Sequence, residues 1–156
     1  MAIVGAREVA GRLARVPHPY GRDDAHSFLD KIVPAEWVWA VTLPDSDTLR
    51  GVVGLTPGGE GTAELGYWLA PSLWGRGITT EAANAVLSFG FDQLGLSRFT
   101  SGHAEDNPAS GKVLRKLGFV ETGRAMSPCL ATGVEMPTIR MALPAPHRSA
   151  KPGGVG

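Results

Sequence analysis

The spacing of apolar residues changes from a helical to a strand-like period near residue 34. Upstream, Val9, Leu13 and Val16 recur at intervals of four and three, which predicts a helix within residues 3–16. A second helix is predicted from residue 23 or 24 to residue 32. There, apolar residues fall at i, i+3, i+4 and i+7 behind aspartates that can cap the helix. Prolines follow both segments and end them.

Residues 37–69 predict three antiparallel strands joined by short turns. Trp37–Leu43 is rich in aromatic and β-branched side chains, as strands are. Two turn-forming segments follow it, at Pro44–Asp47 and Pro57–Gly61. The next strands are expected at Leu49–Thr56 and Thr62–Leu69, and their short connections indicate an antiparallel meander.

The second half of the chain predicts helices alternating with strands. One helix covers about residues 79–94, with Gly95 at its C-terminal cap. Another begins behind Asn107, which can cap it, and Pro108 takes the first helical position, where its missing N–H is harmless. The remaining strands are expected at residues 97–103, 119–125 and 138–143. This order is an α+β, or mixed α/β, layout.

Length and charge narrow the class of protein. The 156 residues predict one domain, assigned to residues 1–143, and a disordered tail over residues 144–156. Fifteen basic and 15 acidic residues give a formal net charge of +0, which argues against a nucleic-acid partner. No uncharged apolar stretch approaches the ~18 residues of a membrane span. We therefore expect a cytoplasmic protein without a membrane or nucleic-acid partner.

Cysteine and histidine give no pattern that predicts a metal site. Cys129 is the single cysteine, so neither an internal disulfide nor a cysteine-based zinc site is expected, and a lone thiol fits a reducing compartment. His18, His26 and His147 lack the spacing of metal ligands. No metal is therefore predicted.

The 21 glycines and 12 prolines exceed ordinary usage, and some of them lie where a ligand could bind. The segment Leu69–Thr79 connects a predicted strand to a predicted helix and carries Gly75 and Gly77. Glycines let a backbone approach a ligand closely, and a helix start offers free N–H groups that suit a phosphate. A simple turn would explain the same glycines, so the loop alone leaves both interpretations open.

A second candidate segment lies at the start of the next helix. Asn107 and Ser110 place an amide and a hydroxyl three residues apart. Helix capping accounts for Asn107 by itself. The same groups could also hold a polar ligand or protonate a leaving group.

Taken together, these segments resemble the GNAT family of N-acetyltransferases, and within it the branch that acetylates ribosomal protein N-termini. The resemblance covers roughly residues 34–143 and is carried by four runs in order: LGYWLAPSLWGRGITTEA, FGFDQLGLSRF, DNPAS and VLRKLGF. It implies a central, mostly antiparallel twisted sheet flanked by helices and splayed between the family's fourth and fifth strands. It also implies acetyl-CoA as co-substrate and a primary amine, on a protein N-terminus or a small molecule, as acceptor.

The resemblance assigns roles residue by residue. The family binds the acetyl-CoA pyrophosphate through backbone N–H groups of a loop that corresponds here to Trp74, Gly75, Arg76, Gly77, Ile78 and Thr79. Trp74 and Thr79 depart from the family pattern, but backbone donors do not require particular side chains. The N–H near Leu69 would face the thioester carbonyl as an oxyanion donor. Asn107 matches a residue that contacts the cofactor arm, and Ser110 matches a serine proposed to protonate the departing thiolate.

The general base is less well specified. Glu64 is the first candidate because it lies on the strand beside the cofactor arm, although an ordinary outward-facing carboxylate is an equal alternative. His103 and Glu105 lie at the end of the next strand and could act directly or through water. A lone histidine is more often structural, which counts against His103.

Two questions stay open at this stage. The family's first strand has no counterpart here: either the true start lies upstream, or the protein lacks this strand. Its loss would expose the edge of the strand at Trp37–Leu43, so a homodimer or low stability is expected in that case. A catalytically idle CoA-binding module, used for sensing or assembly, would keep the same loop without a working acid and base. A nucleotide-binding domain is a third, weaker interpretation.

Overall fold

The computed structural model describes residue 30, residues 36–129 and residues 133–144. The two helices predicted within residues 3–32 and the tail predicted over residues 144–156 lie almost wholly outside this part of the chain. The described part contains a sheet of six strands and two α-helices, which confirms the α+β prediction.

The bounds of the elements follow the predicted order. In chain order they are β1 Trp37–Leu43, β2 Ser46–Pro57, β3 Thr62–Leu69, α1 Ile78–Asp92, β4 Arg98–Ala104, α2 Pro108–Lys116, β5 Val120–Cys129 and β6 Val134–Pro144. Across the sheet the strands lie in the order β1-β2-β3-β4-β6-β5. Neighbours are antiparallel except β3 and β4, which are parallel, so the predicted mostly antiparallel sheet is confirmed.

The first hairpin is tighter than its sequence predicts. Leu43 already pairs with Ser46, so the turn consists of Pro44 and Asp45 alone. Polar residues at 46–48 resemble a loop in sequence. They continue strand β2 because this end of the hairpin is largely exposed, where polar side chains face water without cost.

The last hairpin is longer than predicted. Its strands extend to Cys129 and back from Val134, and they include Pro128 and Pro137. Prolines argue against a central strand because they lack an N–H. Here β6 pairs with β4 only from Thr138 onward, so the added residues form a two-stranded arm in which a missing donor is tolerated.

Glycines and a polar cap set the helix ends. Gly77 is the N-cap of α1 with φ of 74°, and Asn107 caps α2 by accepting a hydrogen bond from the Ser110 N–H at 3.4 Å. The α1 helix ends earlier than predicted, since its C-cap is Gln93, and Gly95 turns the chain two residues later with φ of 64°.

The core lies between the sheet and the two helices. Phe99 is fully buried in β4, and an added Cβ on Gly90 of α1 would stand 2.5 Å from its ring. Glycine at 90 therefore lets α1 approach the sheet closely. The other buried core residues are Val53, Leu55, Ala63, Leu65, Ala83, Val86, Leu87, Leu114, Phe119, Ile139 and Met141.

Candidate active site

The parallel strands β3 and β4 separate after a short paired segment. They share three residue pairs, which end at Glu64 opposite Thr100. The next contact between the two strands involves a side chain: the buried Ser101 hydroxyl donates to the Leu65 carbonyl at 2.9 Å. Beyond it, residues 66–69 of β3 have no partner in β4. The predicted splay is therefore present, and it opens a slot between the two strands.

Backbone groups of β3 face this slot. The Ala70 N–H donates to the Arg50 carbonyl at 2.8 Å, toward β2. Because N–H groups alternate between the two edges of a strand, the N–H of Leu69 faces the opposite edge, toward the slot. Leu69 thus has the orientation that pairing with an extended ligand, or donation to an oxyanion, requires.

A loop anchored by an indole closes the end of β3. After the short 3₁₀ turn at Pro71–Leu73, Trp74 donates from its Nε1 to the Leu69 carbonyl at 2.9 Å. The residue that departs from the family pattern therefore ties the loop to the strand end through its side chain.

The two loop glycines combine a left-handed backbone with open space. Gly75 and Gly77 have φ of 78° and 74°, which other residues adopt at a cost. A Cβ on either residue would meet no atom within 4 Å. Among the described residues nothing fills the space beside the two glycines, and it is the left-handed conformation that requires glycine there.

The loop leads into the N-terminus of α1. No side chain of the described residues caps this end, so first-turn N–H groups at Ile78 and Thr79 are available to an anion, and the helix dipole favours negative charge there. Arg76 is exposed beside them. A groove of about 420 Å³ continues from here to the C-terminus of α2; its lining residues are Gly77, Thr80, Glu81, Asn84, Lys116 and Leu117.

Ser110 meets a residue that the sequence analysis did not single out. The Tyr67 Oη lies 2.5 Å from the Ser110 Oγ, which links β3 to α2. Burial raises the pKa of the Tyr67 phenol above its usual value of 10.0, and the Ser110 hydrogen bond offsets part of this rise. The signal available in the sequence was a tyrosine at a core-facing strand position, since a buried phenol needs a partner.

Glu64 is held in an ion pair. Its Oε2 accepts a hydrogen bond from the Arg140 Nη2 at 2.8 Å, with side chains 48% and 35% exposed. A Cβ on Gly102 would lie 2.8 Å from the Arg140 Nη1, so the guanidinium crosses β4 at this glycine. Side chains alternate along a strand, and Glu64 therefore leaves β3 on the face opposite to Tyr67.

The other candidate bases are also engaged. His103 is buried under α2; its Nδ1 contacts the Ala104 carbonyl at 2.8 Å, and its Nε2 has no hydrogen-bond partner among the described residues. A Cβ on Gly111 would lie 2.9 Å from that Nε2. Glu105 accepts a hydrogen bond from Arg124 at 3.2 Å on an exposed surface.

The structure thus brings together most of the residues that the sequence singled out. Leu69 and the loop from Trp74 to Thr79 lie along one path. Ser110 contacts β3 through Tyr67, and Asn107 caps the same helix start. Glu64 lies at the closed end of the slot, and His103 lies beneath α2. Tyr67 and Arg140, which contact the candidate residues Ser110 and Glu64, are the ones that sequence reasoning missed.

Two further observations concern the described residues only. Neither of their helices has the length and apolar composition to cross a bilayer. Over the same residues, no three side chains of His, Cys, Asp or Glu come together as metal ligands would.

Comparisons with known proteins agree with this geometry. The family described as Acetyltransferase (GNAT) domain matches residues 2–120. The uncharacterized N-acetyltransferase YoaA of Bacillus subtilis is 36% identical over 87 residues, which are 54% of this chain and 49% of YoaA. The ribosomal-protein-serine acetyltransferase of Escherichia coli is 39% identical over 62 residues, which are 40% of this chain and 35% of that protein.

A solved structure shares the fold. The spermidine N-acetyltransferase of Vibrio cholerae, determined in complex with CoA and spermine, superposes with a TM-score of 0.77 at 23% identity. The superposition covers 92% of this chain and 86% of that one. By contrast, the match to YoaA spans about half of that relative's length. The family match covers most of the chain and agrees with the splayed sheet, so this protein belongs to the GNAT acetyltransferase domain family.

Proposed function

We propose that the protein is an N-acetyltransferase that moves an acetyl group from acetyl-CoA to a primary amine. The observation that carries the proposal is the continuous path from the slot beside Leu69, over Gly75 and Gly77, to the start of α1. This path offers strand N–H groups to an extended amide chain, then loop and helix N–H groups to phosphates. Acetyl-CoA has these two parts in the same order.

The residues present fit that co-substrate. Leu69 would pair with the pantetheine arm, and the backbone from Trp74 to Thr79 would hold the pyrophosphate. Asn107 borders the arm from the start of α2. The groove that ends at Lys116 would take the nucleotide end, where an ammonium suits a phosphate.

Acid and base lie on opposite faces of the slot in this proposal. Ser110 protonates the departing sulfur from the helix side. Glu64 accepts the proton of the attacking amine on the other face, through water, because it lies about 10 Å along β3 from Tyr67 at ~3.3 Å per residue. His103 is a weaker candidate base, since its free nitrogen lies against Gly111.

The acceptor is proposed as a protein N-terminus or a small amine such as a polyamine. Relatives named for ribosomal-protein serine and for spermidine support both. The Glu64–Arg140 pair does not decide between them, because the guanidinium and the carboxylate balance each other in charge.

A non-catalytic CoA-binding module is the second candidate. The three candidate bases are engaged by Arg140, by Arg124 and by burial under α2, which is the arrangement expected if no base is needed. Such a module would bind CoA through the same loop and transfer nothing.

Calorimetry with CoA and thiol release from acetyl-CoA separate the two candidates. The amine panel should contain spermidine, free amino acids, and peptides beginning with serine or alanine. CoA binding with turnover of at least one amine supports the enzyme. CoA binding with no turnover on any amine favours the module, and loss of CoA binding to an excess of ATP would favour a nucleotide site.

The expected homodimer and the cytoplasmic location stay predictions. Within the described residues, β1 pairs with β2 alone, so its other edge is open to a strand from residues 1–35 or from a second copy. Light scattering decides the assembly: a dimer mass supports the prediction, and a monodisperse monomer contradicts it.

A further inference from the structure

The hydroxyls of Tyr67 and Ser110 form one hydrogen-bonded unit across the slot. Tyr67 stands on β3, Ser110 on the first turn of α2, and their oxygens are 2.5 Å apart. A second contact, from the Tyr67 Oη to the Ser110 carbonyl at 3.4 Å, is much longer. The short contact therefore dominates and joins the two hydroxyls.

The acid strengths of the two groups set the direction of this hydrogen bond. A phenol titrates near pH 10 and is a far stronger acid than an aliphatic hydroxyl. Either hydroxyl can donate across this contact, and the greater acidity of the phenol favours donation from the neutral Tyr67 to the Ser110 Oγ. The Ser110 hydroxyl hydrogen then remains free to point into the slot.

We propose that Tyr67 is a positioning residue that supplies a proton to the leaving thiolate through Ser110. This inference rests on the proposed acetyl transfer and adds a residue to it. Ser110 alone would be left as an alkoxide after giving up its proton, which is unfavourable beside an alkyl thiol that titrates near about 8.5. Coupling to Tyr67 leaves a phenolate instead, which is a much weaker base.

The proton and electron balance closes within the slot and solvent. As the C–S bond breaks, its electron pair stays on sulfur, and Ser110 gives its proton to form S–H. Ser110 regains a proton from Tyr67 as the Oη–H bond breaks. Tyr67 is then reprotonated from water by the proton that the attacking amine released.

Burial of Tyr67 supports this role, because it favours the protonated phenol before the reaction begins. The raised pKa keeps the phenol protonated and ready to donate throughout the ordinary pH range. Ser101 on β4 also carries a buried hydroxyl that reaches β3, but it donates to the Leu65 carbonyl and bonds no second hydroxyl among the described residues. Ser101 is therefore the matched control for a buried hydroxyl that only holds structure.

The test uses the small number of tyrosines in the chain. There are two, Tyr20 and Tyr67, so biosynthetic 3-fluorotyrosine in a Tyr20→Phe background places fluorine at position 67 alone. Fluorine NMR then follows the titration of this phenol in the full-length protein with CoA and with desulfo-CoA, which lacks the sulfur. This readout requires neither an acceptor amine nor turnover.

The expected result is a higher titration midpoint in the CoA complex than in the desulfo-CoA complex. A thiolate next to the hydroxyl pair disfavours a second negative charge on the phenol. The difference should shrink in Ser110→Ala, because the hydroxyl that connects the sulfur to the phenol is removed and only the repulsion through space remains. If the protein that retains Ser110 gives equal titration midpoints for the phenol with CoA and with desulfo-CoA, the proposal is overturned, even if the protein is an active acetyltransferase.

Measurements of the rate of acetyl transfer form the second part of the test. In single-turnover acetyl transfer, Tyr67→Phe should slow the reaction by about 10²-fold while CoA affinity changes little, as general acids contribute about 10²–10⁴-fold. Fluorination of Tyr67 should shift the alkaline limb of the pH–rate profile by the same amount as it shifts the titration midpoint of the phenol in NMR. Ser101→Ala should not shift the alkaline limb of the pH–rate profile. An alkaline limb that stays unchanged on fluorination of Tyr67 would refute the relay. If no amine reacts at all, the proposed function fails, and the NMR arm then decides only whether Tyr67 is coupled to the bound sulfur through Ser110.

Discussion

Arg140 reaches across strand β4 at Gly102 and donates from its Nη2 to the Glu64 Oε2 at 2.8 Å, between residues 76 positions apart in the chain. This pair lies at the closed end of the slot, where the last β3–β4 residue pair is formed. The guanidinium therefore lies within hydrogen-bond distance of the candidate base. Since strand order and register bring Arg140 to Glu64, they also set the surroundings of the proposed base.

Replacing Glu64 by glutamine tests its assignment as base. We expect Glu64→Gln to slow transfer by about 10²-fold, mainly at lower pH, where the amine is still protonated and most needs a base. Stability should change by less than about 1 kcal/mol, because the pair is partly exposed. The measurement is the pH–rate profile of acetyl transfer.

Glu121→Gln is the matched control for that change. Glu121 is similarly exposed, at 47%, and lies 3.9 Å from Arg124 on the outer strand β5. Its loss should leave the profile unaltered. A Glu64→Gln profile that coincides with the unsubstituted protein would remove Glu64 from the role of base.

Gly77→Ala separates backbone strain from ligand binding. Gly77 has φ of 74° with open space around it, and Gly133 in the β5–β6 hairpin has φ of 73° with the same open space. Alanine at either position should lower the free energy of unfolding by about 1–2 kcal/mol, the cost of a left-handed non-glycine residue. Only Gly77→Ala should also weaken CoA binding, which calorimetry measures alongside urea unfolding. Equal CoA affinity in both variants would contradict the assignment of the loop.

Gly111→Ala probes the packing of His103. The added Cβ would lie 2.9 Å from the His103 Nε2 and 3.0 Å from its Cε1, inside a closely packed region. We expect a loss of about 1–3 kcal/mol in unfolding free energy, as overpacking causes. In Gly111→Ala/His103→Ala the imidazole is gone, so the combined cost should be smaller than the two single costs added together. Additive costs in urea unfolding would show that the two residues do not press on each other.

Alkaline stability should depend on Tyr67. Burial raises the pKa of this phenol, so the folded protein keeps a proton that the unfolded chain loses above pH 10. The stabilisation is therefore complete below pH 10 and is lost as pH rises through the raised, folded-state pKa. The stability difference between the unsubstituted protein and Tyr67→Phe should shrink over this range in urea unfolding. A difference that is constant with pH would contradict the raised pKa, because the other alkaline groups are common to both proteins.

The local elements were determined by the sequence alone. Strands β1 and β3 have the predicted bounds, and Asn107 caps α2 as expected, because side-chain period, turn residues and caps act over a few neighbouring positions. The glycine turn before α1 could also be predicted, since a left-handed residue at a helix start selects glycine. The length of the last hairpin could not be predicted, because its prolines are tolerated only in an arm that the rest of the sheet leaves unpaired.

The connections within the site were decided by the tertiary structure. Tyr67 meets Ser110 across 43 positions, and Arg140 meets Glu64 across 76, and neither pairing follows from local pattern. Both depend on strand order and register, since a shift of one residue would turn each side chain to the other face of the sheet. The sequence therefore specified which groups could act, while the packing of α2 and β6 against β3 and β4 determined which of them meet.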